Sequence, residues 1–183
     1  MRIGTFVMFA VLAAAPASFA ADFRLTSPDM TDGRMLAETF VMNGLGCAGR
    51  NASPALSWSG TPAGTKSFVI TVYDPDAPTG SGWWHWVVTD IPAAVTALPR
   101  GAGDLAGTGL PTGAKQGRTD FGTASYGGPC PPQEDAPHRY VFTIHALSVA
   151  HLPIDPHVSA AMVGFAMHTT EIGRASLTVL YGR

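Results

Sequence analysis

The sequence predicts an all-β domain with substantial loops. Glycine and proline are abundant, at 21 and 15 of 183 residues, and break the chain into short segments. Three runs, at 67–73, 85–91 and 138–147, are rich in β-branched and aromatic residues, as strands are. Only one segment, 157–168, spaces apolar residues as a helix does.

In chain order, residues 1–20 read as an export signal. Arg2 supplies the positive start, and residues 3–15 form an apolar run too short for a membrane span. Ser18 and Ala20 offer small residues for cleavage before Ala21. The competing reading is a buried N-terminal helix. Residues 21–183 then form a single exported domain, periplasmic or secreted, with no transmembrane segment in the mature protein. Residues 23–27 make a first strand that stops at Pro28, and Asp32-Gly33 is a turn. Residues 35–42 are expected to be a second strand. Residues 43–54 are a glycine-rich loop pinned by Cys47, and residues 55–58 alternate as a short strand.

Residues 67–73 are apolar on both faces, as a central strand would be. In the next strong run His85, Val87 and Thr89 share one face while Trp86, Val88 and Asp90 share the other. The segment 93–127 is glycine, proline and small polar residues, expected to be a surface connection without a core of its own. Tyr126-Gly127-Gly128-Pro129-Cys130-Pro131-Pro132 should bring backbone close to another part of the chain. Asp155-Pro156 opens the helix, whose apolar positions are Val158, Ala161, Met162, Phe165 and Ala166. Residues 171–174 close it, and 175–181 form the last strand.

Charge excludes some functions. The net charge is −2 and no basic cluster exists, which argues against nucleic acid as a partner. Cys47 and Cys130 are the only cysteines. In an exported chain they read as a disulfide, the alternative being two buried thiols. A loop that long would stabilise the fold by about 4–5 kcal/mol in the chain-entropy model. Neither cysteine has a cysteine or histidine at ligand spacing, so no metal centre is expected there.

The candidate chemistry gathers around residues 72–91. Asp74-Pro75 and Ala77-Pro78 cannot continue a ladder, so Asp74 and Asp76 are held at a strand end on a stiff turn. His85 can return toward them on the next strand. His138 and Tyr140 are two apart on a third strand and share a face; Arg139 points away and should pair with a carboxylate. Acids beside histidines tend to raise the imidazole pKa. Protonated imidazoles and backbone N–H groups would then donate to a phosphate or carboxylate. The acids would orient the rings or meet an ammonium group, so a phosphoethanolamine-like headgroup would satisfy both signs. Trp83, Trp84 and Trp86 offer an apolar edge or plain strand packing. Two aspartates and two histidines could instead be metal ligands of a hydrolase, although no His-Glu-x-x-His pattern exists. No Gly-x-Ser-x-Gly elbow is present. His145, His151 and His157 have no evident acidic partner and read as ordinary strand, loop and cap residues. His168 suits a helix end.

Asp74-Pro75-Asp76-Ala77-Pro78, Trp84-His85-Trp86, Gly128-Pro129-Cys130-Pro131-Pro132 and His138-Arg139-Tyr140 resemble the two signature segments of the phosphatidylethanolamine-binding protein family. This is also known as the Raf kinase inhibitor-like family, and the likeness is strongest to its bacterial branch. It runs over essentially the whole chain after the leader. The resemblance implies two antiparallel sheets with Greek-key character, a few short helices and a small anion-binding pocket; no enzymatic activity and no cofactor are expected. The family's pocket residues fall on Asp74, Asp76, His85, His138 and Tyr140, with Gly128 and Pro132 in the wall. The implied ligand is a phosphate, phosphoethanolamine or phospholipid headgroup. Inhibition or modulation of a protein partner is the alternative role. The two-cysteine exported form resembles a periplasmic subgroup, for which a kinase-inhibitor role does not transfer by fold. The sequence ends at Arg183 without the C-terminal helix of animal members, so a more open pocket is expected.

Overall fold

The computed structural model describes residues 22–155 and 157–183. Residues 1–21, where an export leader is expected, and Pro156 lie outside the described residues. The strands are β1 (Arg24–Thr26), β2 (Asn43–Gly44), β3 (Cys47–Ala48), β4 (Leu56–Ser59), β5 (Ser67–Asp74), β6 (Trp83–Pro92), β7 (Ala97–Leu98), β8 (Lys115–Gln116), β9 (His138–Leu147) and β10 (Glu171–Tyr181). Helix α1 (Ala160–Met167) precedes the last strand.

A five-stranded sheet runs β10-β9-β5-β6-β8, a three-stranded sheet β1-β4-β7, and β2-β3 form a small ribbon. The named strand pairs are all antiparallel. The middle of the large sheet is the run that the sequence marks as apolar on both faces. Phe68, Ile70 and Val72 of β5 pack toward the small sheet, with Leu25, Leu56 and Trp58. Val69 packs the other way, with Val87, Leu147 and the α1 residues Ala160, Val163 and Met167. The molecule is thus a sheet-on-sheet sandwich with a helix on its outer face. Burying each such large apolar side chain contributes about 1.5–3 kcal/mol relative to exposure.

β6 carries a register shift opposite Phe68 and Ile70. Asp90 lies there with φ +57°, as a bulge permits a short polar residue to do. The shift returns Ile91 to the same core as Trp86 and Val88. The buried Asp90 carboxylate accepts from Leu152 N at 3.0 Å and pairs with Lys115 Nζ at 3.0 Å, so the bulge also anchors the loop before α1.

Four sequence expectations are corrected. Residues 35–42 are not a strand: Met35 makes one bridge to Leu180, and Glu38–Phe40 is a 3-10 turn. Their backbone bonds go elsewhere, Leu36 N to Leu180 O and Met42 N to Pro129 O, while Phe40, Val41 and Met42 are buried in succession rather than alternately. Helix α1 is shorter than 157–168 and is capped by Ser159, whose Oγ accepts from Met162 N. It buries Ala160, Val163 and Met167, leaving Met162 and Phe165 exposed. The segment is apolar nearly all round, so spacing alone does not select its buried face. Residues 171–174 open β10, with an irregularity between Glu171 and Gly173; Gly173 fits against Pro62, where a Cβ would crowd the ring. The 93–127 segment is not a bare surface connection. It supplies β7 and β8 and buries Leu98, Ala102 and Tyr126.

Cys47 and Cys130 form a disulfide across 83 residues, with Cα atoms 6.0 Å apart. It ties the β2-β3 ribbon to the proline-rich segment before β9. Among the described residues no helix is long and apolar enough to cross a membrane. Replacing both cysteines by serine should lower the unfolding free energy by about 2–4 kcal/mol. Urea denaturation of the oxidised protein and the double variant measures this, with an unchanged midpoint as the contrary result.

Candidate functional site

β5 ends and β9 begins at the same rim of the large sheet, and β6 enters beside them. Proline at 75 and 78 stops the ladder after Asp74, and the chain turns there. The Asp74 carboxylate holds that turn: Oδ1 accepts from Asp76 N at 2.8 Å and Ala77 N at 3.0 Å. Its other oxygen lies 2.8 Å from His138 Nδ1. A buried carboxylate is tolerated when such donors surround it. His138 Nε2 stands 3.4 Å from Asp135 Oδ2, so the ring is held between two carboxylates.

His85 is fixed differently. Its Nδ1 lies 2.7 Å from Gly127 O. A carbonyl oxygen only accepts, so Nδ1 carries the proton and Nε2 is left with a lone pair. Gly127 N in turn donates to His85 O at 2.9 Å. The ring sits edge-on to Phe121 and Tyr140, with centroids 5.3 and 5.1 Å away. Burial pushes the His85 pKa down, outweighing the hydrogen bond to Gly127 and the charge of Asp74, which push it up. The expectation that neighbouring acids raise it is therefore overturned at His85: desolvation of the imidazolium is the larger effect.

The Gly127-Gly128 pair has a steric cause. A Cβ at 127 would strike the Phe121 ring, and one at 128 would strike the backbone of Phe40 and Met42. Asn51, at φ +51°, clamps the segment from behind. Its Nδ2 donates to Tyr126 O at 3.1 Å and its Oδ1 accepts from Gly128 N at 2.7 Å. This close approach places Gly127 O against His85 and leads the chain through Cys130 into the proline wall.

The result is a cavity of about 170 Å³ bordered by Asp74, His85, His138, Tyr140, Trp83 and Phe121, with Pro131 and Pro132 as one wall. Leu45 and Cys130 also border it, so the disulfide belongs to the wall. Two residues bordering this space carry donors, Tyr140 OH and Trp83 Nε1, that are buried and have no hydrogen-bond partner among the described residues. Burial foremost, with the nearby Asp74 charge, pushes the Tyr140 pKa far up; the phenol keeps its proton as a donor. Asp74 makes no well-formed hydrogen bond with it.

The structure therefore brings Asp74, His85, Pro132, His138 and Tyr140 to one hollow. Asp76 does not border it. Its carboxylate takes Arg139 N and Nε at 2.9 Å each and Nη2 at 2.7 Å, the carboxylate pairing expected of Arg139. Gly128 stands behind the wall rather than in it. Of the tryptophans only Trp83 borders the pocket: Trp86 is in the core and donates to Gln116 Oε1, and Trp84 packs on Tyr73 with centroids 4.5 Å apart. Sequence reasoning missed Phe121, Asp135 and Leu45. Phe121 is a lone aromatic residue in a glycine-rich stretch, and that isolation was the available signal. Among the described residues no group of three or more His, Cys, Asp or Glu side chains is placed to hold a metal ion.

A sandwich of antiparallel sheets with a histidine- and aspartate-lined pocket at one rim defines a class of binding folds. The chain belongs to the phosphatidylethanolamine-binding protein family, whose pattern it matches over residues 26–182. It is 54% identical over 162 residues to UPF0098 protein YbcL of Escherichia coli, covering 88% of each chain. It is 49% identical to YbhB of the same organism, covering 86% of this chain and 99% of YbhB. The crystal structure of YbcL, described as a member of the mammalian family, superposes with a TM-score of 0.87 at 53% identity over 89% of this chain and 99% of that one. LppC of Mycobacterium tuberculosis, named as a candidate lipoprotein, is 33% identical over 90% of this chain and 75% of LppC.

Arg139 holds the Asp76 carboxyl down at about 2, first through its side-chain hydrogen bond. A lowered carboxyl stabilises the fold fully above its ordinary value of 3.8, and that contribution is lost as pH falls through about 2. Asp76→Asn should therefore flatten the acid limb of the stability curve below 3.8. Acid denaturation followed by far-UV circular dichroism reads this, and parallel curves for both proteins would contradict it.

Proposed function

We propose that this protein binds a phosphorylated or similarly anionic small molecule, without catalysis, in the pocket formed by Asp74, His85, His138 and Tyr140. The observation that carries the reading is the pair of buried, unpartnered donors at the pocket, Tyr140 OH and Trp83 Nε1, beside a histidine whose Nε2 is unclaimed. Buried donors without acceptors are costly, and an oxyanion supplies several acceptors at once. At about 170 Å³ the cavity is smaller than the roughly 300–1,000 Å³ of drug-sized sites, so it suits a headgroup rather than a whole lipid. The Asp74 carboxylate in the lining is the group that an ammonium beside the anion would meet. Thr79, the aliphatic hydroxyl at the rim, donates to Gly82 O, and both cysteines are in the disulfide, so among the described residues neither threonine nor thiol is set as a nucleophile against the imidazoles. The leader-like residues 1–20, the disulfide and the likeness to LppC support export of the domain formed by residues 21–183.

Anion binding beside His85 would raise its lowered pKa, so binding should take up a proton and tighten as pH falls. Sulfate, which keeps its charge over this range, separates that uptake from the titration of phosphate itself. Calorimetry with sulfate, inorganic phosphate and phosphoethanolamine should show binding. It should weaken by about 10- to 100-fold in His85→Ala, as for loss of a hydrogen bond to a charged group, and also weaken in His138→Ala, which takes away the ring that holds Asp74 in place. Equal affinity in both variants, or no proton uptake with sulfate, would remove the reading.

A further inference from the structure

A larger hollow lies on the other face of the large sheet, and it is polar where packing alone would make it apolar. α1 lies over one end of that face and seals it with Val69, Val87 and Leu147. Further along the same strands the face changes to Thr71 on β5, Thr143 and His145 on β9, and Ser176 on β10. These border a cleft of about 680 Å³, within the range of small-molecule sites. Thr71, Thr143 and His145 are each buried to more than nine-tenths, and burying hydroxyls there is costly unless they are used. A face that only had to seal against a helix would continue the valines.

The polar groups form two sets. Thr71 Oγ1 lies 3.1 Å from His145 Nε2, His145 Nδ1 lies 3.2 Å from Glu171 Oε2, and Arg174 Nε donates to Glu171 Oε1 at 2.6 Å. Thr143 Oγ1 and Ser176 Oγ are 2.9 Å apart. The carboxylate fixes the His145 proton on Nδ1, so Nε2 accepts the Thr71 proton and Thr71 keeps its lone pairs. Burial, ahead of the opposing pull of Glu171, pushes the His145 pKa down, so the ring is neutral. The Thr143–Ser176 pair has two hydroxyl protons and uses one in its mutual bond, leaving one to donate. Glu171 cancels the charge of Arg174. The order hydroxyl, imidazole, carboxylate resembles a nucleophilic relay, but Thr71 and Thr143 pair with each other in the ladder, and their backbone donors do not form an oxyanion hole.

The geometry points to a second binding site, in the cleft of Thr71, Thr143, His145 and Ser176, for an uncharged, hydroxyl-rich ligand of mono- or disaccharide size. Free hydroxyl donors and acceptors, a charge-balanced Glu171–Arg174 pair and the Tyr73–Trp84 rings at the border, tilted 38° to each other, are what a sugar ring requires: hydrogen bonds at its edge and an aromatic surface for its C–H face. On α1, Gly164 borders the cleft, and a Cβ there would meet nothing within 4 Å. The glycine therefore leaves space that close packing does not require.

Proton–nitrogen NMR of the disulfide-intact protein tests this with methyl glucoside, methyl galactoside, N-acetylglucosamine and diacetylchitobiose as probes at millimolar concentration. At least one should shift Thr71, Thr143, Ser176 and the Trp84 indole while leaving His85 and His138 unmoved. Gly164→Leu, whose Cβ meets nothing within 4 Å and which raises helix propensity, should fold normally and lose those shifts. Phosphate added to the same samples reads the first pocket separately. No response to any of the four sugars, shifts confined to the His85 pocket, or an undiminished response in a folded Gly164→Leu protein each overturns the assignment.

Discussion

Asp74 is the joint on which the site depends. One oxygen receives the turn that ends β5, and the other receives the histidine that opens β9. Each bond alone would be ordinary. Together they keep a carboxylate buried at 3% exposure and fix two strands and a turn to one point. Taking away one partner would leave a buried group unsatisfied, which costs more than the bond contributes when made. The Asp76–Arg139 pair lies just outside the pocket and joins the same turn to the same strand from the solvent side.

His85 completes the pocket on different terms. It is held by a backbone carbonyl, and that carbonyl is in place because residues 127 and 128 have no side chains to obstruct it. Asn51 and the disulfide hold the same segment from behind. The pocket therefore joins one histidine lodged between carboxylates to another kept neutral by burial. On the proposed function, such a pair would adapt to an incoming anion by moving a proton rather than a chain segment.

Much of this was legible in the chain. The three strongest runs became β5, β6 and β9 because their composition leaves few other ways to bury them, and prolines 75 and 78 placed Asp74 at a strand end. The shared face of His138 and Tyr140 followed from strand periodicity. Residues 35–42 misled because their apolar side chains are buried without a partner strand. The face of α1 was hidden because almost every position in it is apolar. The partnership of Glu171 with His145 depends on β10 folding back beside β9, which no local pattern announces. The sign of the His85 shift was missed for a similar reason: the acids are visible in the sequence, whereas the depth of burial is a property of the whole fold.

The two faces of the large sheet thus carry different chemistry. One ends in a small hollow lined by histidines and Asp74, and the other opens a wider cleft bordered by hydroxyls. The central claim concerns the first, and long-range proton–nitrogen NMR of the histidine rings tests it most directly. At neutral pH without added anion, His85 should show a protonated Nδ1 and a bare Nε2. Saturating sulfate should move Nε2 to the protonated position. A His85 ring whose nitrogens do not respond while sulfate is bound would contradict the account.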